Sequence, residues 1–473
     1  MLFRALVAIS ALVATGAAIA NSPGQSGAVT PFSADLGGVA TVHDALTRGI
    51  FMQTQPNLPE ELARGLKVGR DFFLVGWTPS FRFDSADGLG PIFSAQSCES
   101  CHQDGGRGSH HTRIMRLSIP PQNATQEAML ADHLIREIGD PVYGIQLQER
   151  GIPGIAREGG TRIDYTEFVE TLADGTEVIL REPHYTLNGL YYGPAHEDVM
   201  ISPRLGPPLI GVGLLEAIPA DTILAMADPN DLDGDGISGR AQYVFDAVSG
   251  EVMLGRFGWK AGGATLRAQT AAAFLNDIGV STSVFPSGSG ECTAAQTKCV
   301  ELVAMHPNPR GEPEAPDLAL DRLTQFISVL GVPARRDVED PLVMRGQEVF
   351  MTAGCGGCHT PSAETGDTAE AYHAGQTIWP FTDLLLHDMG ERLADNRPEG
   401  VATGTEWRTA PLWGLGLADL VVNGTARYLH DGRANSVTEA ILWHGGEAQG
   451  ARDVFAALEV ADREALLAFL ASL

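Results

Sequence analysis

Two short stretches, "CESCH" at 98–102 and "CGGCH" at 355–359, constrain this chain more than any other feature. A C-x-x-C-H run is the attachment pattern of a covalent haem. Its thiols form thioethers with the vinyl groups, and the adjacent histidine is the proximal iron ligand. A redox C-x-x-C explains neither histidine, and zinc would need four closely placed nitrogen or sulfur ligands. Cys98, Cys101 and His102, with Cys355, Cys358 and His359, are therefore expected to carry two covalently bound haem c groups. The other two of the six cysteines, Cys292 and Cys299, have no following histidine. In an oxidising compartment such a pair is expected to close a local disulfide worth ~2–3 kcal/mol.

That compartment is indicated at the N-terminus. Residues 1–20 carry one Arg, an apolar run and the small-residue ending Ala18-Ile19-Ala20, the pattern of a secretion signal. The run is short for a membrane span, so a periplasmic protein without one is expected. A formal net charge of −27 argues against nucleic acid and favours a basic protein partner.

The chain also repeats itself. Phe93 and Phe350 each stand five residues before the first cysteine of a motif. The stripe Leu323, Phe326, Ile327 and Leu330 is matched by Leu466, Phe469, Leu470 and Leu473, both at amphipathic-helix spacing. "RLGPPLIGVGL" (204–214) is matched by "RTAPLWGLGL" (408–417). The expected organisation is a signal at 1–20, an extension over 21–60, haem domain one over 61–335 and haem domain two over 336–473, with 331–341 as the linker.

Domain one is the larger. Alternation in 168–187 around Asp174-Gly175 predicts a β-hairpin. In "DPNDLDGDGISGRA" (228–241), Asp231, Asp233, Asp235 and the Ile237 carbonyl have the spacing of a calcium loop. Position twelve of that loop is Gln242 where a bidentate Glu is usual, so a solvated Asp-Gly turn is the competing reading.

With the two haem motifs, "TDLLLHDMGERLAD", "EWRTAPLWGLGL", "YLHDGRA" and "EAILWHGGEA" in this order, the chain resembles the di-haem oxidoreductase family. That family is related to bacterial di-haem cytochrome c peroxidases and to the di-haem enzyme that matures the tryptophan cofactor of methylamine dehydrogenase. The resemblance spans most of the mature chain and is most specific over 340–473. It implies a mainly α fold of two cytochrome c-like haem domains, the first enlarged by loop and hairpin insertions.

It also implies site residues. In the peroxidase relatives the sixth ligand of the C-terminal haem lies fourteen residues past a His-Asp-Gly histidine; here that count runs from His430 to His444. A lone His among Ile, Leu and Trp is ordinarily a packed core residue, and Trp443 reads as packing. At the ligand position, however, His444 would make haem two bis-histidine and low in potential. His387 and His430 read as hydrogen-bonding residues.

In the matching stretch of domain one, Trp259 takes the place of an inter-haem Trp and Gln269 that of a distal polar residue. Ala273 stands where His444 stands in domain two and cannot bind iron, so haem one should be open. The relatives' catalytic Glu falls on Gly279. Asp277 either supplies the missing carboxylate or caps a helix, and Glu216 is a reserve acid. His110 and His111 could cap haem one at rest.

The reading is a di-haem oxidoreductase that reduces hydrogen peroxide at haem one, with electrons from a basic cytochrome c or cupredoxin entering at haem two. A pure electron-transfer cytochrome without a substrate site, and an oxidase of a partner protein or metal ion, are the alternatives.

Overall fold

Each half of the chain is organised by one helix crossing. In the computed structural model, which describes residues 31–79, 86–109, 111–305, 313–367 and 370–473, helix Glu60–Leu74 packs on Asp317–Ser328, and Pro341–Thr352 on Val460–Ser472. The apolar stripes face these contacts: Leu323 and Phe326, and Leu466 and Phe469, are buried. Both crossings use a glycine to bring backbones together. A Cβ on Gly69 would collide with the Arg322 carbonyl and lie 2.6 Å from Phe326 Cβ. A Cβ on Gly346 would collide with the Ala465 carbonyl and lie 2.7 Å from Phe469 Cβ. Gly213 and Gly416, from the two Arg-x-x-Pro segments, abut the carbonyls of Ser328 and Ala471 in the same way. The repeat seen in the sequence is thus a repeat of backbone contacts.

The expectation of a mainly α fold is not met. Among the described residues 32% are helical and 18% are in strands, with 13 α-helices and many small sheets. Few helices are long, and the intervening loops satisfy their backbone groups in short ladders. Among the described residues the sheets are two-stranded except for one of three, in which Ile114–Ser118 lies between Gln146–Leu147 and Met200–Arg204. The largest β element is the predicted hairpin. Of its strands, Gly160–Thr171 and Glu177–Asn188, the first begins earlier than the alternation suggested, and Gly175 turns at φ 83°.

The segment read as a linker is well anchored. Val332–Pro333 pairs in parallel with Thr41–Val42, and Arg335 N–H donates to Ala34 O at 2.8 Å. Cys292 and Cys299 form the expected disulfide. No helix among the described residues is long and apolar enough to cross a membrane. The expected secretion signal and His110 lie outside the described residues.

Candidate functional site

Each C-x-x-C-H motif opens into its own cavity. Ser97 caps the turn Cys98–Cys101, and His102, Cys98 and Cys101 line a space of about 240 Å³. Cys355, Cys358 and His359 line a second space of about 430 Å³. None of these four cysteines is in a disulfide.

The histidines are set by backbone carbonyls. His102 Nδ1–H donates to Pro207 O at 2.9 Å, and His359 Nδ1–H donates to Phe381 O at 2.9 Å. Such a bond fixes the tautomer that leaves Nε2 as the ligating atom. His444 has the same arrangement, with Nδ1–H to Ala440 O at 2.8 Å, and it lines the second cavity together with His359. Burial lowers the pKa of all three, His359 to about 4 with repulsion from His444 contributing, so each is neutral at pH 7.

The other sequence candidates separate cleanly. His387 is not a ligand, because both ring nitrogens are bonded, Nε2 to Asp383 and Nδ1 to Glu447, each at 2.7 Å. Burial opposes its charge, but these carboxylates win and push its pKa up to about 12. His430 stacks on Trp407 with centroids 3.7 Å apart, and burial holds it neutral at a pKa of about 3. Glu216 is spent on the N–H of Leu266, at 2.7 Å.

Trp259, Gln269, Ala273 and Asp277 all line the first cavity. Thr265 caps the helix Leu266–Ala273, as Ser436 caps Val437–Leu442. Ala273 and His444 therefore occupy matching places after matching caps. Asp277 lies in the wide turn Phe274–Ile278 and accepts from Gln146 Nε2 at 3.1 Å. Gly279 has no room for a side chain, since a Cβ there would lie 2.6 Å from Ile92 O.

Trp259 lines both cavities, with its Nε1–H donating to Leu205 O at 2.7 Å. Sequence reasoning missed its companions. Arg107 and Arg408 also line both cavities. Arg107 Nη1 is buried without a hydrogen-bond partner. Beyond them Arg204, Arg397 and Arg136 surround Glu399, and Arg204 Nη2 faces Asp395 Oδ2 at 3.7 Å. Attraction to these guanidiniums, though burial opposes it, holds the Glu399 carboxyl well below its usual range. Alternation along Ile114–Ser118, which turns Ile114 and Arg116 into the cavity and Met115 and Leu117 away, was the one local signal for this wall. Met389, also missed, places a thioether sulfur donor on the second cavity wall.

The calcium candidates Asp231, Asp233 and Asp235 are exposed, with ligand atoms within 4.8 Å of one another. Asp235 and Ile237 reach the wall of the second cavity. Gln242 is turned away and buried, donating to Glu399 O at 2.6 Å.

The family model described as "Di-haem oxidoreductase, putative peroxidase" matches residues 32–473. This chain belongs to that family. Its donor sets fit two haems: a tautomer-fixed histidine and thiols outside any disulfide in each cavity, with the unpartnered Arg107 Nη1 between the cavities suited to a propionate. No curated protein matches the chain. Among solved structures it is similar to xenon-pressurised hydrazine synthase from Kuenenia stuttgartiensis. That match has 12% identity and a TM-score of 0.33 over 97% of this chain and 100% of the other, too loose to carry an argument.

Proposed function

We propose that this di-haem oxidoreductase is a periplasmic c-type enzyme that reduces hydrogen peroxide in the first cavity with electrons delivered through the second. The observation that carries the reading is the asymmetry of the matching helices, which offer Ala273 to one cavity and His444 to the other. Cys98 and Cys101 would bind one haem covalently with His102 as ligand; Cys355 and Cys358 would bind the other with His359 and His444. The haems supply the electron transfer.

The chain's own residues do the rest. Ala273 leaves space for peroxide, and Gln269 offers it an amide N–H. Glu399 is committed to arginines, whereas Asp277 takes only an amide donor, so Asp277 is the carboxylate suited to moving a proton. It would accept the proton of one peroxide oxygen and return it to the other; two electrons and two protons convert H2O2 into two waters. Trp259 fills the wall between the cavities. The charge of −27 suits a small basic redox protein as donor. Asp231, Asp233, Asp235 and the Ile237 carbonyl are read as a structural calcium loop beside the second haem.

An EPR spectrum of the ferric, haem-loaded protein tests this, with His444→Ala beside it. One high-spin and one low-spin haem are expected, with the low-spin signal lost in the variant. Two low-spin haems that resist reduction of haem two would favour a pure electron carrier. A low-spin signal that survives His444→Ala but not Met389→Leu would move the sixth ligand to Met389.

A further inference from the structure

His444 stands just beyond the six-residue helix Val437–Leu442. A helix that short has little stability of its own, so contacts from elsewhere decide where its end lies. Some of those contacts come from the other half of the chain. On the inner face of the hairpin, the Phe168 ring meets Trp443, the residue before His444, edge-on at 5.4 Å. Arg392 lies 4.5 Å from the Phe168 ring and 5.1 Å from that of Trp443, and Arg433 lies 4.7 Å from Trp443. Trp443 is buried to 1% exposure inside this clamp.

The hairpin is tied down around that contact. Glu170 pairs with Arg392 at 3.0 Å and Arg452 at 2.8 Å. Asp174, at the turn, pairs with Arg463 at 2.5 Å, and Ala173 N–H donates to Ala456 O at 3.0 Å. Farther back, Tyr185 Oη–H donates to Asp431 at 3.0 Å. The first half offers a contrast: Ala272 and Ala273 stand where Trp443 and His444 stand, so the copy without the ligand also lacks the aromatic anchor.

We infer that the hairpin is a latch for the sixth ligand. Phe168 is a positioning residue that acts through Trp443 to hold His444 on the iron of haem two. The coordination of one haem thus depends on an insertion carried by the other half of the chain. This inference rests on His444 being that ligand.

Carbon monoxide binding to the fully reduced, haem-loaded protein tests both. CO requires a vacant or displaceable sixth position, so haem two should bind it slowly in the parent protein and readily in His444→Ala. Phe168→Ala should open haem two about tenfold in CO on-rate, the effect of losing one buried aromatic contact, and should raise its high-spin EPR signal. Phe168→Tyr, which keeps the ring edge, should restore the slow rate. Glu170→Gln with Asp174→Asn, gentler on the fold, should shift the rate the same way by a smaller factor.

Phe168→Ala and the double variant binding CO as slowly as the parent, while His444→Ala binds fast, would overturn the latch and leave the ligand intact. Unchanged CO binding in His444→Ala would overturn the ligand reading, and the latch with it.

Discussion

Helix Leu266–Ala273 in the first half and helix Val437–Leu442 in the second begin on the same device, a hydroxyl cap from Thr265 or Ser436. Each points its far end into a cavity lined by a C-x-x-C-H motif. They differ in what they deliver. One ends on Ala273 and runs into a wide turn; the other ends on Trp443 and His444, under the hairpin from the opposite half. The scaffold is therefore the shared part, and on the proposed reading one side chain at the same place on it would separate a closed iron site from an open one. Function follows from the side chain on the fold more than from the fold itself.

The most direct way to break this comparison is to make the two ends alike. Ala273→His should close the first cavity and lower peroxide turnover by about 100-fold or more, with a second low-spin signal by EPR. Unchanged turnover would mean that the open site lies elsewhere. The crossings can be tested next. Gly69→Ala and Gly346→Ala each force a Cβ into a backbone carbonyl and should cost ~1–3 kcal/mol in denaturant unfolding. A large loss in only one of them would show that the two crossings are not equivalent.

A smaller effect is expected from pH. Near the first cavity Glu158 is fully buried, and desolvation pushes its pKa from 4.5 up to about 8. A carboxyl raised in this way binds its proton more tightly when folded. Its contribution is fully present below pH 4.5 and is lost as the pH rises towards 8. Glu158→Gln should therefore flatten the pH dependence of the melting temperature over that window. Near the second cavity the raised group is His387, which stays charged when folded but loses its proton above pH 6.5 when unfolded. It should therefore add its own loss of stability from pH 6.5 upward, and that slope should survive Glu158→Gln.

What the sequence made legible was local. The helix stripes and the Asp174-Gly175 turn sit within spans that periodicity and turn chemistry can encode, and the C-x-x-C-H motifs are themselves local, whereas the His430-to-His444 count came from the resemblance to the family. Gly69 and Gly346 were silent, because a glycine in a helix gives no sign of which carbonyl it will touch. Arg107, Met389 and the Glu399 cluster were missed for the same reason: each acquires its role from residues far away in the chain. The fold class went wrong through the insertions, whose short ladders escaped a reading dominated by the helical repeat. Gln242 was read as a loop position and is instead a buried donor to the chain around Glu399.

The extension ahead of the first helix has a kinetic consequence. Phe32 N–H bonds Gln347 across 315 residues, Asn57 reaches Tyr372 across another 315, and Thr41–Val42 pairs with Val332–Pro333. Contacts of such span must wait for nearly all of the chain between them. A stretch synthesised early is thus among the last to find its partners. Until it does, the seam between the halves stays unsewn, with both cysteine motifs already made.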